Sequence, residues 1–291
     1  MRVLVTGGGG FLGRAIIARL VEHGHAVRVF NRRPPVAGVT ATAGWRQGDI
    51  VDAEAVMSAA EGCDTIVHLV GMMTPACAAD PLRGAAVNVL GTLHVFEAAK
   101  RHGMRKVIYT SSGGVYAPGN DRVPVPPTHY GAFKLANEGS GRAYWLDHRI
   151  ASIGFRPFIV YGPGREIGGT AGFSIACRAV AEGRPYTIPV TGPAGLVHSD
   201  DVALAYRAAV ERDLDGAHTI NLRGHVSSAE EAVAILRRLV PGAQIDCAGP
   251  PIPASATAPD EWSSPLLGLP PQRSLEAGLR ETLEHYRRQR A

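Results

Sequence analysis

The sequence predicts an α/β fold in which a doubly wound parallel sheet carries a smaller C-terminal lobe, and three observations support that expectation. Short β-branched runs alternate with longer Ala-rich helical patterns up to about residue 160, the signature of βαβ units laid on a parallel sheet. The first run leads directly into a glycine-rich turn, "VTGGGGFLG". After Tyr161 the alternation gives way to glycine- and proline-bounded pieces, and the chain ends on an amphipathic segment, "SLEAGLRETLEHYRRQ".

The elements follow in order. "RVLVT" reads as the first strand and "GRAIIARLVEHG" as a helix ended by Gly24. "AVRVF" is a second strand, and "DAEAVMSAAEG" is a helix for which Asp52 can accept from the free first-turn amides. "DTIVHLV" is apolar on both faces, as a central parallel strand must be. A long helix is expected from about Gly84 to His102, then the strand "KVIYTSS", a proline-rich loop from Pro118 to Pro127, a helix from about Tyr130, and the strand "IASIGFRPFIV". Residues 1–160 thus form the main domain, to which residues around 196–222 return, and residues 161–291 are mainly a substrate-binding lobe.

Composition excludes several classes. The 291 residues contain 30 Lys and Arg against 26 Asp and Glu, with the basic residues dispersed, so neither nucleic acid nor a membrane surface is an expected partner. Cys63, Cys77, Cys177 and Cys247 lie far apart without CxxC spacing. That pattern suits neither a zinc site nor a disulfide framework, and no metal is expected. The longest uncharged stretch, Thr65 to Ala79, contains His68 and Pro75 and is too short to span a bilayer. No signal-peptide apolar region opens the chain. The expectation is a soluble, cytoplasmic protein with reduced thiols.

The glycine-rich turn can be spelled GxGxxG from Gly8 or GxxGxxG from Gly7. In either spelling, glycines permit a tight turn and let backbone N–H groups approach a pyrophosphate at the positive end of the following helix. The strand, turn and helix occur in the required order, so Gly7, Gly10, Phe11, Leu12 and Gly13 are candidate cofactor-binding residues of a Rossmann-type site.

"YGAFK" places Tyr130 and Lys134 at i and i+4 on one helix face. A phenol titrates near pKa ~10, so a neighbouring ammonium would help it act as acid or base at neutral pH. The strand ending "YTSS" delivers Ser111 and Ser112 to the carboxyl edge of the sheet, within reach of a substrate oxygen handled by Tyr130.

With "TGGGGFLG", "GDI", "NVLGT", "YTSSGGVYA", "HYGAFK" and "RPFIVYGPG" in this order, the chain resembles the extended short-chain dehydrogenases/reductases, the NAD-dependent epimerase/dehydratase family. The resemblance spans residues 1 to about 165 and continues more loosely through "VHSDDVALAY". It implies that Tyr130 is the acid/base, that Lys134 binds the ribose and lowers the Tyr130 pKa, and that Ser112 rather than Ser111 orients the substrate oxygen. It places Asn88 on the long helix near the active site, where a buried Asn bonding neighbouring backbone is an equal reading. Asp49, with Ile50 beside it, falls where the family binds adenine. Leu69, Val70 and Gly71 lie along the cofactor, and Pro157 and Val160 where the nicotinamide packs. The resemblance also implies a homodimer joined through the two long helices.

A carboxylate about 18 residues after the last loop glycine would accept from both ribose hydroxyls of NAD and repel a 2′-phosphate. Here Asn31 removes that repulsion, and Arg32 and Arg33 offer planar donors suited to a phosphate monoester. NADP is the expected cofactor, with NAD as the alternative.

Family members acting on nucleotide sugars carry an Asn within the segment matching "RPFIVYG" and an Arg shortly before "HSDD"; this chain has Ile159 and "PAGLV" there. A small polar substrate, sugar- or hydroxy-acid-like, fits better. Thr74, Ser112, Gly113, His129, Tyr161, Arg165 and His198 are its candidate contacts, because their segments converge on the carboxyl edge. The expected reaction is hydride transfer between a nicotinamide and a secondary alcohol or ketone. An epimerase or dehydratase with tightly held NAD(P), and an NAD(P)-sensing binding protein without turnover, are the alternatives.

Overall fold

A computed structural model describes residues 1–35, 39, 41–252 and 256–290. The first half is strand–helix alternation: β1 (Arg2–Thr6), α1 (Phe11–Glu22), β2 (Ala26–Asn31), β3 (Trp45–Gln47), α2 (Ala53–Ala60) and β4 (Thr65–His68). There follow α3 (Thr74–Ala79), α4 (Pro81–Ala85), a π-helical turn Ala86–Leu90, α5 (Gly91–Arg101), β5 (Lys106–Thr110) and α6 (His129–His148). The second half runs β6 (Ala151–Pro157), β7 (Ile159–Tyr161), α7 (Gly172–Glu182), β8 (Tyr186–Ile188), β9 (Pro193–His198), α8 (Ser199–Glu211) and β10 (Ala217–Leu222). It closes with β11 (His225–Ser228), α9 (Ala229–Leu239), β12 (Ile245–Cys247) and α10 (Leu275–Arg288).

Seven parallel strands form the main sheet in the order β10-β6-β5-β4-β1-β2-β3. The strand order reverses beside β1, so the carboxyl ends of β1 and β4 diverge into the crevice where α/β sheets bind ligands. One face packs on α1 and α8 through Ile16, Ile17, Leu20, Val202 and Tyr206; the other packs on α2 and α5 through Val56, Val95 and Phe96. A separate apolar cluster joins α7, α9 and α10, with Phe173, Leu236 and Leu279 buried in it.

The expected strand "IASIGFRPFIV" divides. β6 ends at Pro157, the Phe158 amide donates to Leu222 O at 3.2 Å, and β7 pairs instead with β9 in a three-stranded sheet. Pro157 has no N–H to continue the ladder, so the chain leaves the large sheet there. The long helix expected from Gly84 to His102 is present, running from the end of α4 to Arg101, with a π turn at Ala86–Leu90 set between α4 and α5. β3 is an edge strand of three residues, too short to register as a periodic pattern. Asp200 and Asp201 lie in the first turn of α8, whose N-cap is the His198 imidazole, accepting from Asp200 N at 3.3 Å. Among the described residues no helix is long and apolar enough to cross a membrane, no His/Cys/Asp/Glu cluster could hold a metal, and the four cysteines are free.

Candidate active site

The phosphate loop is shaped by close backbone approach. Gly7 adopts φ +75° and donates to Phe30 O at 2.8 Å, and Gly10 N donates to Gly7 O at 3.0 Å. A Cβ on Gly13 would stand 2.6 Å from Gly8 Cα, so only glycine lets α1 leave β1 at this angle. No side chain caps the first turn of α1, and that turn holds no acidic residue. Its free amides and the positive end of its dipole therefore suit a pyrophosphate. The floor of the crevice is Leu69 to Gly71: Leu69 N donates to Thr6 O at 3.1 Å, and a Cβ on Gly7 would lie 3.1 Å from Val70 N.

Asn31 ends β2 beside the loop, its amide 3.0 Å from where a Gly9 Cβ would be, and it donates to Arg33 O at 3.2 Å. Arg32 and Arg33 are exposed and make no ion pair among the described residues. Asp49 accepts from Val51 N at 3.3 Å and pairs with Arg83 at 2.8 Å. Partial burial pushes its carboxyl up, but the Val51 amide and the Arg83 and Arg32 charges outweigh this and hold it below the usual range. Ile50 is packed against Gly91 of α5.

At the carboxyl edge, Ser112 follows β5 and accepts from Gly114 N at 3.0 Å, which fixes the turn Gly113–Val115. Thr128 caps α6 through Gly131 N at 3.1 Å, so the helix starts with Tyr130 in its first turn. The Tyr130 phenol is buried; burial raises its pKa, while the facing Ser112 hydroxyl and the Arg165 charge pull it down. Lys134 is 2% exposed, donates to Thr110 O at 2.7 Å, and places Nζ 5.7 Å from the Tyr130 ring centroid. Burial pushes Lys134 down to about 8, with Cys77 opposing.

Asn88 is fully buried in the π turn, and its amide clamps the backbone of Met72, accepting from N at 3.1 Å and donating to O at 3.1 Å. Its own carbonyl takes Thr92 Oγ1 at 2.6 Å and Asn137 Nδ2 at 3.0 Å. Asn88 and Lys134 both abut Gly71, where a Cβ would meet Asn88 Oδ1 at 3.0 Å and Lys134 Nζ at 3.4 Å. Asn88 thus shapes the strand end and acts on the site through backbone.

The structure divides the candidate substrate contacts. Thr74 opens α3 half-buried, Gly113 packs on the Phe158 ring, and His129 lies exposed against the Phe133 ring, which itself packs on Gly84 of α4. Arg165 reaches back over the edge, donating to Val160 O and to Thr170 Oγ1 at 2.7 Å, with Cζ 5.8 Å from the Phe11 ring centroid. Tyr161 and His198, expected to meet substrate, are core residues instead. Their rings pack edge-on at 5.3 Å, a side chain at Gly278 of α10 would overlap the Tyr161 hydroxyl, and His198 Nε2 is 3.4 Å from Thr282 Oγ1. Turning into the smaller sheet after Pro157 carries them under α10.

Sequence reasoning missed one buried network. Ser111 donates to Glu138 at 2.5 Å, Arg156 holds Glu138 through Nε at 2.7 Å and Nη2 at 2.5 Å, and Arg156 Nη1 donates to the Tyr116 hydroxyl at 2.7 Å. Two signals were present: Glu138 continues the i, i+4 row of Tyr130 and Lys134, and Arg156 is the one charged residue in an otherwise apolar strand.

A glycine loop at the switch point of a doubly wound sheet, with Ser112, Tyr130 and Lys134 on the adjoining edge, is the architecture of a nicotinamide-dependent enzyme. The chain belongs to the NAD dependent epimerase/dehydratase family, whose model matches residues 3–222. It is 30% identical over 245 residues to a 2-alkyl-3-oxoalkanoate reductase of Stenotrophomonas maltophilia, covering 79% of this chain and 71% of that protein. It is 35% identical to a UDP-glucose 4-epimerase of Mycolicibacterium smegmatis over 63% of this chain and 64% of that one. Among solved structures, a UDP-glucose 4-epimerase of Thermotoga maritima with UDP-glucose superposes with TM-score 0.88 at 24% identity, with 100% of each chain covered. The protein is therefore an enzyme of the NAD-dependent oxidoreductase and epimerase type.

Proposed function

We propose that this enzyme is an NADP(H)-preferring oxidoreductase that interconverts a secondary alcohol and a ketone on a small polar substrate. The observation that carries the reading is the Tyr130 phenol, faced by the Ser112 hydroxyl and flanked by the cations of Lys134 and Arg165. The uncapped first turn of α1 and the neighbouring Asn31 fit a dinucleotide without repelling a 2′-phosphate, and Arg32 and Arg33 stand exposed beside them. Bound there, the nicotinamide supplies or accepts the hydride. Ser112 and Tyr130 together hold the substrate oxygen; in reduction Tyr130 releases its proton to that oxygen as the carbonyl carbon becomes a carbinol. A phenol kept protonated by burial suits that role, and the Ser112 hydroxyl and the Arg165 charge favour the phenolate left behind.

The second reading is an epimerase that keeps NAD through the turnover, favoured by the likeness to the Mycolicibacterium smegmatis enzyme. Against a nucleotide-sugar substrate stands Ile159, 4% exposed within the apolar cluster of the C-terminal lobe, where it presents no polar anchor. We also propose a homodimer, consistent with the family's long-helix pairing named above, and a cytoplasmic setting, consistent with four free thiols.

The test is to denature the purified protein, identify any released nucleotide by mass-detected chromatography, and titrate the native protein with NADPH and NADH. An empty protein binding NADPH at least tenfold more tightly supports the oxidoreductase. Stoichiometric retained NAD supports the epimerase.

A further inference from the structure

Arg165 differs from most of the other shielded arginines; Arg223, also half-buried and without an ion pair among the described residues, sits beside Asp260, which accepts from its backbone N at 3.0 Å. Arg19 is paired with Asp200, Arg156 with Glu138, and Arg273 with Asp200, Asp201 and Glu281. Arg28 spans the carbonyls of Ala59 and Glu61 at the negative end of α2. Among the described residues Arg165 has no carboxylate partner; its acceptors are one strand carbonyl and one threonine hydroxyl. The adjacent Glu166 is turned onto Arg178 at 2.7 Å. Burial pushes the Arg165 guanidinium down to about 10, the mark of a charge that its surroundings do not neutralise.

The loop that carries it is firmly held. Gly162 N donates to Ser174 Oγ at 3.0 Å and Gly164 N to the Tyr286 hydroxyl at 2.9 Å, tying both sides of the turn to α7 and α10. Thr170 then fixes the fork, whose Cζ lies 5.8 Å from the Phe11 ring centroid and whose charge acts on the Tyr130 phenol. A shielded, uncompensated guanidinium is costly, and it becomes favourable when a ligand brings the anion. Its planar donors match a carboxylate.

We propose that Arg165 binds a carboxylate of the substrate close to the carbon whose oxygen Tyr130 serves, so that the substrate class is oxo or hydroxy acids rather than neutral ketones or alcohols. The proposal rests on the oxidoreductase reading. Its position on the C-terminal lobe, rather than on the phosphate loop, assigns it to substrate; the cofactor's pyrophosphate already has the first turn of α1.

The test uses matched 2-oxo and 3-oxo acids and their methyl esters, with NADPH as reductant, on the wild type, Arg165→Gln and Arg165→Lys. The same compounds are added to the NADPH-loaded Tyr130→Phe protein, with and without Arg165→Gln, and thermal melting is followed. The wild type is expected to favour the acid by about 10- to 100-fold in kcat/KM, the range of charge-assisted hydrogen bonds, chiefly through KM. Arg165→Gln should abolish that preference with NADPH affinity changed less than threefold, and Arg165→Lys should restore part of it. Acids, but not esters, should raise the melting temperature of Tyr130→Phe only when Arg165 is present. A tenfold loss of NADPH affinity in Arg165→Gln with the acid-to-ester ratio unaltered overturns the proposal and makes the guanidinium a cofactor contact. Equal handling of acids and esters in both turnover and melting also overturns it. If no carbonyl compound consumes NADPH but acids still stabilise the protein through Arg165, the oxidoreductase reading fails while the carboxylate site stands.

Discussion

Gly131 lies so close to Gly114 that a Cβ on Gly131 would overlap the Gly114 carbonyl oxygen and also stand 2.8 Å from Pro126 Cβ. The first turn of α6 is thereby pressed onto the turn after Ser112, and this contact sets the distance between the Ser112 hydroxyl and the Tyr130 phenol.

Gly131→Ala should therefore push α6 away and loosen that pair. Turnover should fall about 100-fold, the cost of roughly 1 Å of misplacement, with NADPH affinity changed little. Steady-state kinetics beside a nucleotide titration check this, and an unchanged kcat would show that the contact does not position Tyr130.

Tyr130→Phe removes the proposed proton donor and leaves the loop and the buried ring intact. Turnover should drop at least 1000-fold with cofactor affinity within a few-fold of wild type, which single-turnover kinetics and fluorescence titration will measure.

Asn31→Asp combined with Arg32→Ser restores a carboxylate beside Gly9 and removes one exposed cation. The ratio of NADPH to NADH affinity should fall by about 10-fold or more, since a charged hydrogen bond is lost and a repulsion gained. An unchanged ratio would mean that these side chains do not read the ribose.

Burying the Lys134 ammonium costs stability. Burial holds its pKa at about 8 in the fold against an ordinary 10.5, so between these limits the unfolded chain binds more protons and the fold gains stability as pH rises. Below about pH 8 the penalty of burying the charge is fully present. Lys134→Met should raise the melting temperature at pH 7, flatten the melting profile between pH 8 and 10, and abolish turnover.

His68 and His198 act at the other end of the scale. Burial lowers them to about 3 and about 4 from 6.5, with the Lys134 charge adding to the effect at His68 and Arg273 at His198. Both stay neutral in the fold while the unfolded chain takes up protons, so stability present above pH 6.5 is lost as pH falls toward these values. Each contributes a slope of at most about 1.4 kcal/mol per pH unit. His198→Asn keeps an N-cap acceptor and should remove one such slope in urea unfolding measured from pH 7 to 5.

Features encoded in neighbouring residues were legible from sequence: the glycine loop, the Asp52 cap, the i, i+4 pair of Tyr130 and Lys134, and the central apolar strands. What escaped depends on residues far apart in the chain. The departure at Phe158 is settled by Leu222 and β9, and the Glu138–Arg156 pair by the packing of α6 on β6. Tyr161 and His198 share the motif-bearing segments of the carboxyl edge, yet α10, more than 70 residues further along, decides that they are core. The π turn at Asn88 has no periodic signature, because one added residue shifts the helix face without altering composition.

The joint between Pro157 and Ile159 hands the chain from the large sheet, which leads to Ser112, to the smaller sheet, which leads to the Arg165 loop. The loop bearing Arg165 follows β7 of the smaller sheet, so that loop can be exchanged without cutting the ladder of the large sheet that precedes Ser112.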